Sequence, residues 1–285
     1  MPALLRAEFA KFYRHWSTYL GFGLLAALAG LLVWGSYAQV KESEVRAKME
    51  LQRSLGGDFI VAGKVVSAVF VPRLILAARL PVYIFVAALV AMAAGGAIAT
   101  EYSSGTLRTL LTRPVRRASV VLAKWFVMGF HAFTLTMFLG IVGLGLGYVF
   151  LGSGDLVWTM EQFRIVPEKQ AIGELAEAYA LQGLAMVAVA SIALCLSAAV
   201  SRSAAAAGVT VAFLLLSGMI GVLPLDSFKH IRPYLLTTQM ERFEHVFDPH
   251  PNWGTIHGAI VWVAGYAAVA LVGAVIILGR REIRC

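Results

Sequence analysis

The sequence has few charged residues and only two cysteines. Charged side chains make up 14% of its 285 residues and hydrophobic ones 59%, whereas roughly a quarter of the residues in an ordinary soluble domain are charged. This composition excludes a soluble globular protein and indicates a chain that lies in a lipid bilayer. Cys195, inside an apolar run, and Cys285 provide neither a disulfide framework nor the spacing of metal ligands.

Motifs of catalysis are also missing. The chain has no Gly-x-Ser-x-Gly elbow and no His-Glu-x-x-His. The stretch from Gly57 to Lys64 differs from a phosphate-binding loop, because five residues instead of four separate Gly57 from Gly63 and Val65 replaces the magnesium-binding Ser or Thr. We therefore predict that the chain is not an enzyme, and that any ATP it depends on is bound by another polypeptide.

The net charge of +8 does not indicate a nucleic-acid partner. No basic stretch is interleaved with stacking aromatic residues or placed on a recognisable nucleic-acid-binding motif. The basic surplus instead follows the membrane topology. On one side, short segments place basic residues next to the apolar runs, with few acids among them, as at Arg14, Arg113, Arg116 and Arg117. By the positive-inside rule this side is cytoplasmic, which puts both termini in the cytoplasm.

Six apolar runs are long enough to cross a bilayer. They cover about residues 16–37, 80–99, 121–150, 179–200, 204–222 and 256–278. The first run is longer than the core of a signal peptide and five more follow, so it is interpreted as an uncleaved span. Residues 1–15 are amphipathic, which suits a helix in the plane of the interface. We predict an all-α membrane protein with a single transmembrane domain over residues 1–285.

The segments between the spans have distinct patterns. Residues 39–55 pair opposite charges four residues apart, which favours a solvated helix. The apolar run 59–71 is short and contains Lys64, so it is interpreted as interfacial or packed rather than spanning. Small residues at 93–97 and the Gly143-x-x-x-Gly147 pattern predict close helix packing. Residues 151–177 are predicted to be a polar loop, and residues 224–255 a second external segment with an amphipathic part.

A polar-to-basic island, residues 101–117, separates the second and third runs. Ser103 or Ser104 is suited to cap a helix there, and Pro114 ends it. Leu107, Leu110 and Leu111 fall on one face of the two to three turns in between. The pattern predicts a short helix on the membrane surface.

The order of residues in this island, Glu-Tyr-Ser-Ser-Gly-Thr-Leu-Arg-Thr-Leu-Leu-Thr-Arg-Pro-Val-Arg-Arg, resembles the cytoplasmic loop of ABC type-2 permeases. Any polytopic protein can carry a basic loop, but that does not explain the order Gly-Thr-Leu-Arg-x-Leu-Leu-x-Arg-Pro. Thr100 departs mildly from the family, which often has glycine before the acid. The basic residues 279–284 are similar to the charged tail common in the family.

The resemblance implies that this island includes the coupling helix, which receives the stroke of a separate ATPase subunit. The residues that it assigns to coupling are Glu101, Gly105, Thr106, Leu107, Arg108, Leu110, Leu111 and Pro114. It also implies an exporter in which two permeases, identical or sister chains, sit on two ATPase subunits that bind ATP and Mg²⁺.

By the same resemblance, the second and fifth spans line most of the translocation path. The candidate path residues are His131, Tyr83, Phe85, Phe213 and Met219. An apolar, aromatic path suits a drug, a peptide or a lipid-like compound. The alternative is a six-span channel or an ion-coupled secondary carrier. Carriers usually place charged or broken-helix sites near the midplane, and the spans here are nearly free of charge.

Two histidine positions leave alternatives open. His131 lies about three turns into the third span, where it either bonds to a neighbouring helix or acts as a proton relay or substrate contact. His245, Asp248 and His250 have residue types that bind zinc or copper. The Asp-Pro and His-Pro steps favour instead a turn that leads into the sixth span, and we predict no metal site.

The predicted topology can be tested by cysteine accessibility. It places residues 38–79 outside the cell and residues 101–117 in the cytoplasm. Cysteines introduced at Glu44 and Arg116 should therefore react with an impermeant reagent from opposite sides of the membrane. Labelling of both positions from the same side would exclude this topology.

Overall fold

The computed structural model describes residues 2–54, 67–77, 81–106, 116–158, 164–223 and 226–281. Helices dominate these residues. They contain nine α-helices: α1 (Pro2–Tyr13), α2 (Trp16–Ser54), α3 (Phe70–Ala77), α4 (Pro81–Ser103), α5 (Arg117–Phe150), α6 (Glu168–Ala199), α7 (Ser203–Val222), α8 (Leu236–Glu241) and α9 (Trp253–Arg280). Short 3-10 helices cover Asp226–Phe228, Arg232–Tyr234 and Arg242–Phe247.

Six of these helices, α2, α4, α5, α6, α7 and α9, are long and apolar enough to cross a membrane. The prediction of an all-α membrane protein with six spans is thereby confirmed. The sequence did not reveal one small element, an antiparallel pair of strands, β1 (Leu156–Trp158) and β2 (Arg164–Val166). In the pair, Val157 lies opposite Ile165.

Two helices extend further than the apolar runs indicate. Helix α2 continues through the charged stretch to Ser54 as one helix of 39 residues, about 58 Å long and roughly twice the thickness of a bilayer core. No glycine or proline interrupts residues 36–54, and good helix formers fill them. Helix α6 begins at Glu168, directly after Pro167, where a proline favours a helix start. The predicted loop 151–177 is therefore a hairpin followed by a helix.

Contacts group the chain into two compact units. The first comprises Met1–Gly21, Arg79–Thr136 and Ala180–Cys285, and the second Phe22–Ala78 and Met137–Tyr179. In the first unit, a fully buried apolar cluster joins α4, α5, α6 and α9, and its members are Ile98, Val121, Leu194, Ala198, Ala274 and Leu278. Nearby, the Trp125 indole N–H donates to Ser191 Oγ at 2.7 Å, so a polar bond adds to the packing of α5 against α6.

Small residues bring α4 and α7 close together within the first unit. A Cβ added to Gly95 would lie 3.0 Å from the backbone nitrogen of Ala207 and 3.3 Å from the Ala206 Cβ. On another side of α4, the Ser197 hydroxyl accepts from the backbone N–H groups of Ile98 and Ala99 at 3.1 and 2.9 Å. The small-residue run at 93–97 therefore gives the close packing that the sequence predicts.

The second unit is held together by a similar contact between α5 and the segment 67–77. A Cβ added to Gly147 would lie 2.5 Å from the Ala68 carbonyl oxygen, and one added to Gly143 would lie 3.4 Å from Ile75. The Tyr179 hydroxyl donates to the Pro72 carbonyl at 3.0 Å. The Gly-x-x-x-Gly pattern therefore forms a packing surface, as predicted, and it packs against the short helix α3 and the residues before it.

Two glycines on α5 provide a matched test of this packing. Gly147→Ala should lower the stability of the purified protein by about 1–3 kcal/mol, because the new methyl group clashes with backbone. Gly145→Ala, which meets nothing within 4 Å, should leave stability unchanged or raise it slightly, because alanine favours a helix. Thermal unfolding in detergent measures both. Equal melting temperatures for the two variants would show that the contact at Gly147 is not tight.

Candidate functional site

The structure describes the start of the predicted coupling segment and its end. Glu101 lies in the last turn of α4, Gly105 and Thr106 follow it, and the chain resumes at Arg116 before α5. The remaining residues assigned to coupling fall in 107–115, outside the described residues: Leu107, Arg108, Leu110, Leu111 and Pro114. The short helix predicted there stays a prediction. The described residues on either side of it, 101–106 and 116–117, belong to the site.

Glu101 is the centre of a buried group of charges. Its side chain is 7% exposed, and its Oε1 atom accepts from Lys124 Nζ at 2.6 Å and also from Lys11 Nζ. Lys124 makes a second ion pair, with Glu8 Oε2 at 3.0 Å. We call Glu8, Lys11, Glu101 and Lys124 the charged cluster. It joins three helices, because Glu8 and Lys11 belong to α1, Glu101 to α4 and Lys124 to α5.

The members of the charged cluster differ in burial. The Lys124 side chain is 3% exposed and its partner Glu8 is 9% exposed, whereas Lys11 is 49% exposed. Two acids and two bases leave the cluster with no net charge. A buried ion becomes strongly destabilising when its partner is lost, whereas an ammonium group that is half exposed stays hydrated and its attraction is screened by solvent. Lys124 is therefore the ammonium group that holds the cluster together, and Lys11 is an accessory.

Helix periodicity explains why these side chains meet. On α5, Val121, Lys124, Met128 and His131 are all buried, and their spacing places them on one face of the helix. On α1, the buried Glu8 lies one turn before Phe12, and the Phe9 ring packs edge-on against Phe126 and Phe130 of α5 at 6.2 and 5.5 Å. Helix α1 therefore rests its aromatic face on α5 and inserts a carboxylate beside Lys124.

A pocket of about 260 Å³ adjoins the charged cluster. Its walls combine the four charged side chains with apolar and small residues of the first unit, including Phe12, Met92, Gly96 and Met128. The second carboxylate oxygen of Glu101, Oε2, is buried and has no hydrogen-bond partner within the part of the chain that the structure describes. In the same part, no group of three or more His, Cys, Asp or Glu side chains is arranged to hold a metal ion.

A glycine turn follows Glu101 within the predicted coupling segment. Gly105 has φ +73°, which disfavours residues other than glycine. The Ser104 N–H donates to the Thr100 carbonyl at 3.0 Å, and the Gly105 N–H to the Tyr102 carbonyl at 3.2 Å. Many helices end in this way, with a residue in the left-handed conformation directly after the last turn. Gly105 therefore acts as the stop signal of α4.

Comparison with known proteins assigns the family. The sequence model described as "ABC-2 family transporter protein" matches residues 3–278. The chain belongs to the ABC-2 family of transporter proteins. A curated protein of Bacillus subtilis (strain 168), "Uncharacterized protein YhcI", is 26% identical over 195 residues, which are 67% of this chain and 62% of that protein. The chain thus spans less than two thirds of the length of this curated relative.

Family membership and the six long apolar helices together show that the chain is a multi-pass membrane protein of a transporter family. The resemblance found in residues 101–117 is confirmed at the level of the family. The family match does not assign a role to any single residue of that segment. Among the predicted coupling residues, only Glu101, Gly105 and Thr106 have described positions.

His131 packs against α1 in this ABC-2 protein. It is buried, and its ring meets the rings of Phe12 and Tyr13 edge-on, with centroids 4.8 and 6.0 Å apart. It lies two turns from Lys124 on the same face of α5. The position identifies His131 as part of the surface that receives the first helix. A role in proton transfer or substrate contact stays a prediction.

The other predicted path residues occupy dissimilar surroundings. Phe213 and Met219 of α7 are 37% and 59% exposed, and Phe85 of α4 is half-buried. The backbone of Tyr83 lies in α4, but its side chain is outside the description. His245 Nδ1 lies 2.8 Å from Asp248 Oδ2, and the chain turns there before Asn252 caps α9.

The sequence interpretation missed the partners of Glu101. Lys124 and Lys11 bind the Glu101 carboxylate, and the sequence analysis assigned no role to either lysine. A signal was present, because Lys124 interrupts an apolar stretch and Glu8 lies on the aromatic side of α1. Gln182 was also overlooked, a buried amide in α6 whose two polar atoms lack partners among the described residues.

The two lysines of the charged cluster can be compared directly. Lys124→Met should destabilise the protein by about 3–5 kcal/mol, because it leaves two buried carboxylates without their common cation. Lys11→Met should cost only about 0–1 kcal/mol, because that ammonium is half exposed to solvent. Thermal unfolding of the two purified variants checks this order. A Lys124→Met protein as stable as Lys11→Met would mean that the cluster does not hold α1, α4 and α5 together.

Proposed function

We propose that this chain is the permease subunit of an ABC exporter that moves a drug, a peptide or a lipid-like compound across the cytoplasmic membrane. A separate ABC ATPase subunit binds ATP and Mg²⁺ and supplies the energy. The family match over residues 3–278 supports the class. The resemblance of residues 101–117 to a coupling loop supports the use of an external ATPase.

The observation that carries the proposal is the position of Glu101. The residue that begins the coupling-loop motif is buried and paired with Lys124, which is also paired with Glu8. A displacement of the coupling segment therefore pulls on a joint shared by α1, α4 and α5. Because separating buried partners costs several kcal/mol, the three helices move together rather than one by one. This is the mechanical property that a coupling joint needs.

The orientation of the chain follows in this proposal from the same group of residues. The charged cluster, the flanks of the coupling segment and Arg281 lie at one end of the first unit, and this end faces the cytoplasm. The ATPase subunit approaches there. A second permease, an identical copy or a sister chain, completes the path at an interface formed by α4 and α7, with Phe85, Phe213 and Met219 as candidate contacts for cargo.

Burial favours this proposal over an ion-coupled carrier. Among the described residues of the six candidate spans, the buried charged side chains are Glu101 and Lys124. Glu101 lies in the last turn of its helix, and Lys124 lies two turns from the start of its own. A carrier would need its charged groups near the midplane. The charges here suit a joint at the membrane surface.

The proposal predicts a specific defect for Glu101→Gln. The amide should keep the fold, because Lys124 retains Glu8 as a partner. Loss of a charge-assisted bond worth about 1.5–3 kcal/mol should lower transport roughly tenfold or more if the bond is needed in the coupled step. Transport of a fluorescent amphiphile and ATP hydrolysis are measured side by side, in vesicles that contain the permease and its co-purified ATPase subunit. Leu110→Asp should weaken the assembly itself.

Glu174→Gln is the matched control. Glu174 forms an ion pair with Arg164 at 2.7 Å, also largely shielded from solvent, but in the second unit. This variant should transport at the wild-type rate. Wild-type transport by both Glu101→Gln and Leu110→Asp would contradict the proposal, as would strong ATPase activity of the chain purified without any partner.

A further inference from the structure

The two ends of the coupling segment are both bound to the end of α9. At one end, the Tyr102 ring lies under the guanidinium of Arg281, with 3.8 Å from Cζ to the ring centroid. At the other, Arg117 Nη1 donates to the carbonyls of Leu278, Gly279 and Arg281 at 3.2, 3.1 and 3.1 Å. Residues 278–281 therefore touch the second and the last residue of the segment 101–117.

Arg281 is itself anchored to a third helix. Its Nη1 donates to the carbonyls of Ala198 at 2.7 Å and Val200 at 3.3 Å, at the C-terminal end of α6. The last carbonyls of a helix lack partners inside it and carry partial negative charge, so a cation there is stabilising. The planar guanidinium can bond to carbonyls along its edge and stack on a ring with its face at the same time. Lysine has no such geometry.

Arg117 follows the same electrostatic rule. It is the first residue of α5, where the helix dipole disfavours a positive charge. Its bonds to three carbonyls at the C-terminal end of α9 place that charge where a dipole favours it. Arg117 and Arg281 thus bind at neighbouring helix ends, directly beside the buried apolar cluster that includes Leu278 and Ala198.

We propose that Arg281 is a positioning residue for coupling: with Arg117 it forms a clasp that fixes both flanks of the coupling segment to α6 and α9. The ATPase stroke then reaches the last span as well as α4 and α5. This role in transmission rests on the proposed function. Whether the clasp holds the flank in place can be measured on this chain alone, without a partner subunit.

The first experiment uses the full chain alone. A nitroxide is attached at the exposed Thr106 as Thr106→Cys, with Cys195 and Cys285 replaced by serine, and its spectrum reports local mobility. Tyr102→Leu and Arg281→Lys should both mobilise the label, because each removes the stacked contact. Loss of that contact should lower the equilibrium ratio of the held to the released flank roughly 2- to 30-fold. Tyr102→Phe, which keeps the ring, should resemble the wild type.

Arg280→Ala is the charge-matched control. Arg280 is exposed and adjacent in sequence, so its loss should leave the label immobile. A change of mobility with an unchanged melting temperature separates positioning from general stability. If Tyr102→Leu and Arg281→Lys leave the label as immobile as in the wild type, the clasp does not hold the segment and the inference is overturned.

The second experiment adds the co-purified ATPase subunit. Tyr102→Leu and Arg281→Lys should lower kcat of ATP hydrolysis by the complex and leave KM for ATP unchanged, because the nucleotide site lies in the other subunit. Tyr102→Phe and Arg280→Ala should retain the wild-type kcat. A mobilised label with unchanged kcat would overturn the role of the clasp in transmission. A complex that does not form even with the wild-type chain would instead count against the proposed function.

Discussion

A single buried ammonium group constrains the end of the first unit where the predicted coupling segment begins. Lys124 is almost fully shielded from solvent and is neutralised by two carboxylates from two other helices. An ion in such surroundings is tolerated only while its partners stay in place. The first helix therefore cannot leave α5, and α4 cannot slide along it, without exposing or unpairing a charge. Helix α1 is therefore held against α4 and α5 by the charged cluster.

Close helix packing extends this constraint into the membrane. Gly95 lets α4 approach the backbone of α7, and Ser197 bonds to two backbone N–H groups of α4. Arg281 bonds to the end of α6 and stacks on Tyr102, and Arg117 bonds to the end of α9. Dense packing transmits displacement because it is poorly compressible. The first unit is therefore a compact, closely packed group of helices around the charged cluster.

The sequence predicted the features that depend on local pattern. The six apolar runs correspond to the six long helices, and the glycine spacing correctly predicted the tight contact at Gly147. It failed where the outcome depends on contacts between distant residues. The pairing of Glu101 with Lys124 joins residues 23 positions apart, and Lys124 with Glu8 joins residues 116 apart. No periodicity within one segment encodes which charges meet across helices.

Helix ends were the least predictable local feature. Hydropathy marks where a helix becomes polar, but a helix stops only where backbone geometry changes. Helix α4 therefore runs past the predicted span end at residue 99 to the left-handed turn of Gly105, and α6 begins at Glu168, before the predicted span start at residue 179. The helix predicted over residues 39–55 is present, and it is continuous with the first span. The hairpin β1–β2 was missed because strands of three residues carry too few side chains to show alternation.

In the proposed assembly, an ATPase subunit docks at the end of the first unit that carries the charged cluster. Site-specific photo-crosslinking tests it most directly. A photoreactive residue at the exposed Thr106 should capture the ABC ATPase subunit, identified by mass spectrometry, when the complex is intact. The same residue at Ile165, exposed on the hairpin of the second unit, should not capture it. Capture of the ATPase subunit at Ile165 and none at Thr106 would contradict the account.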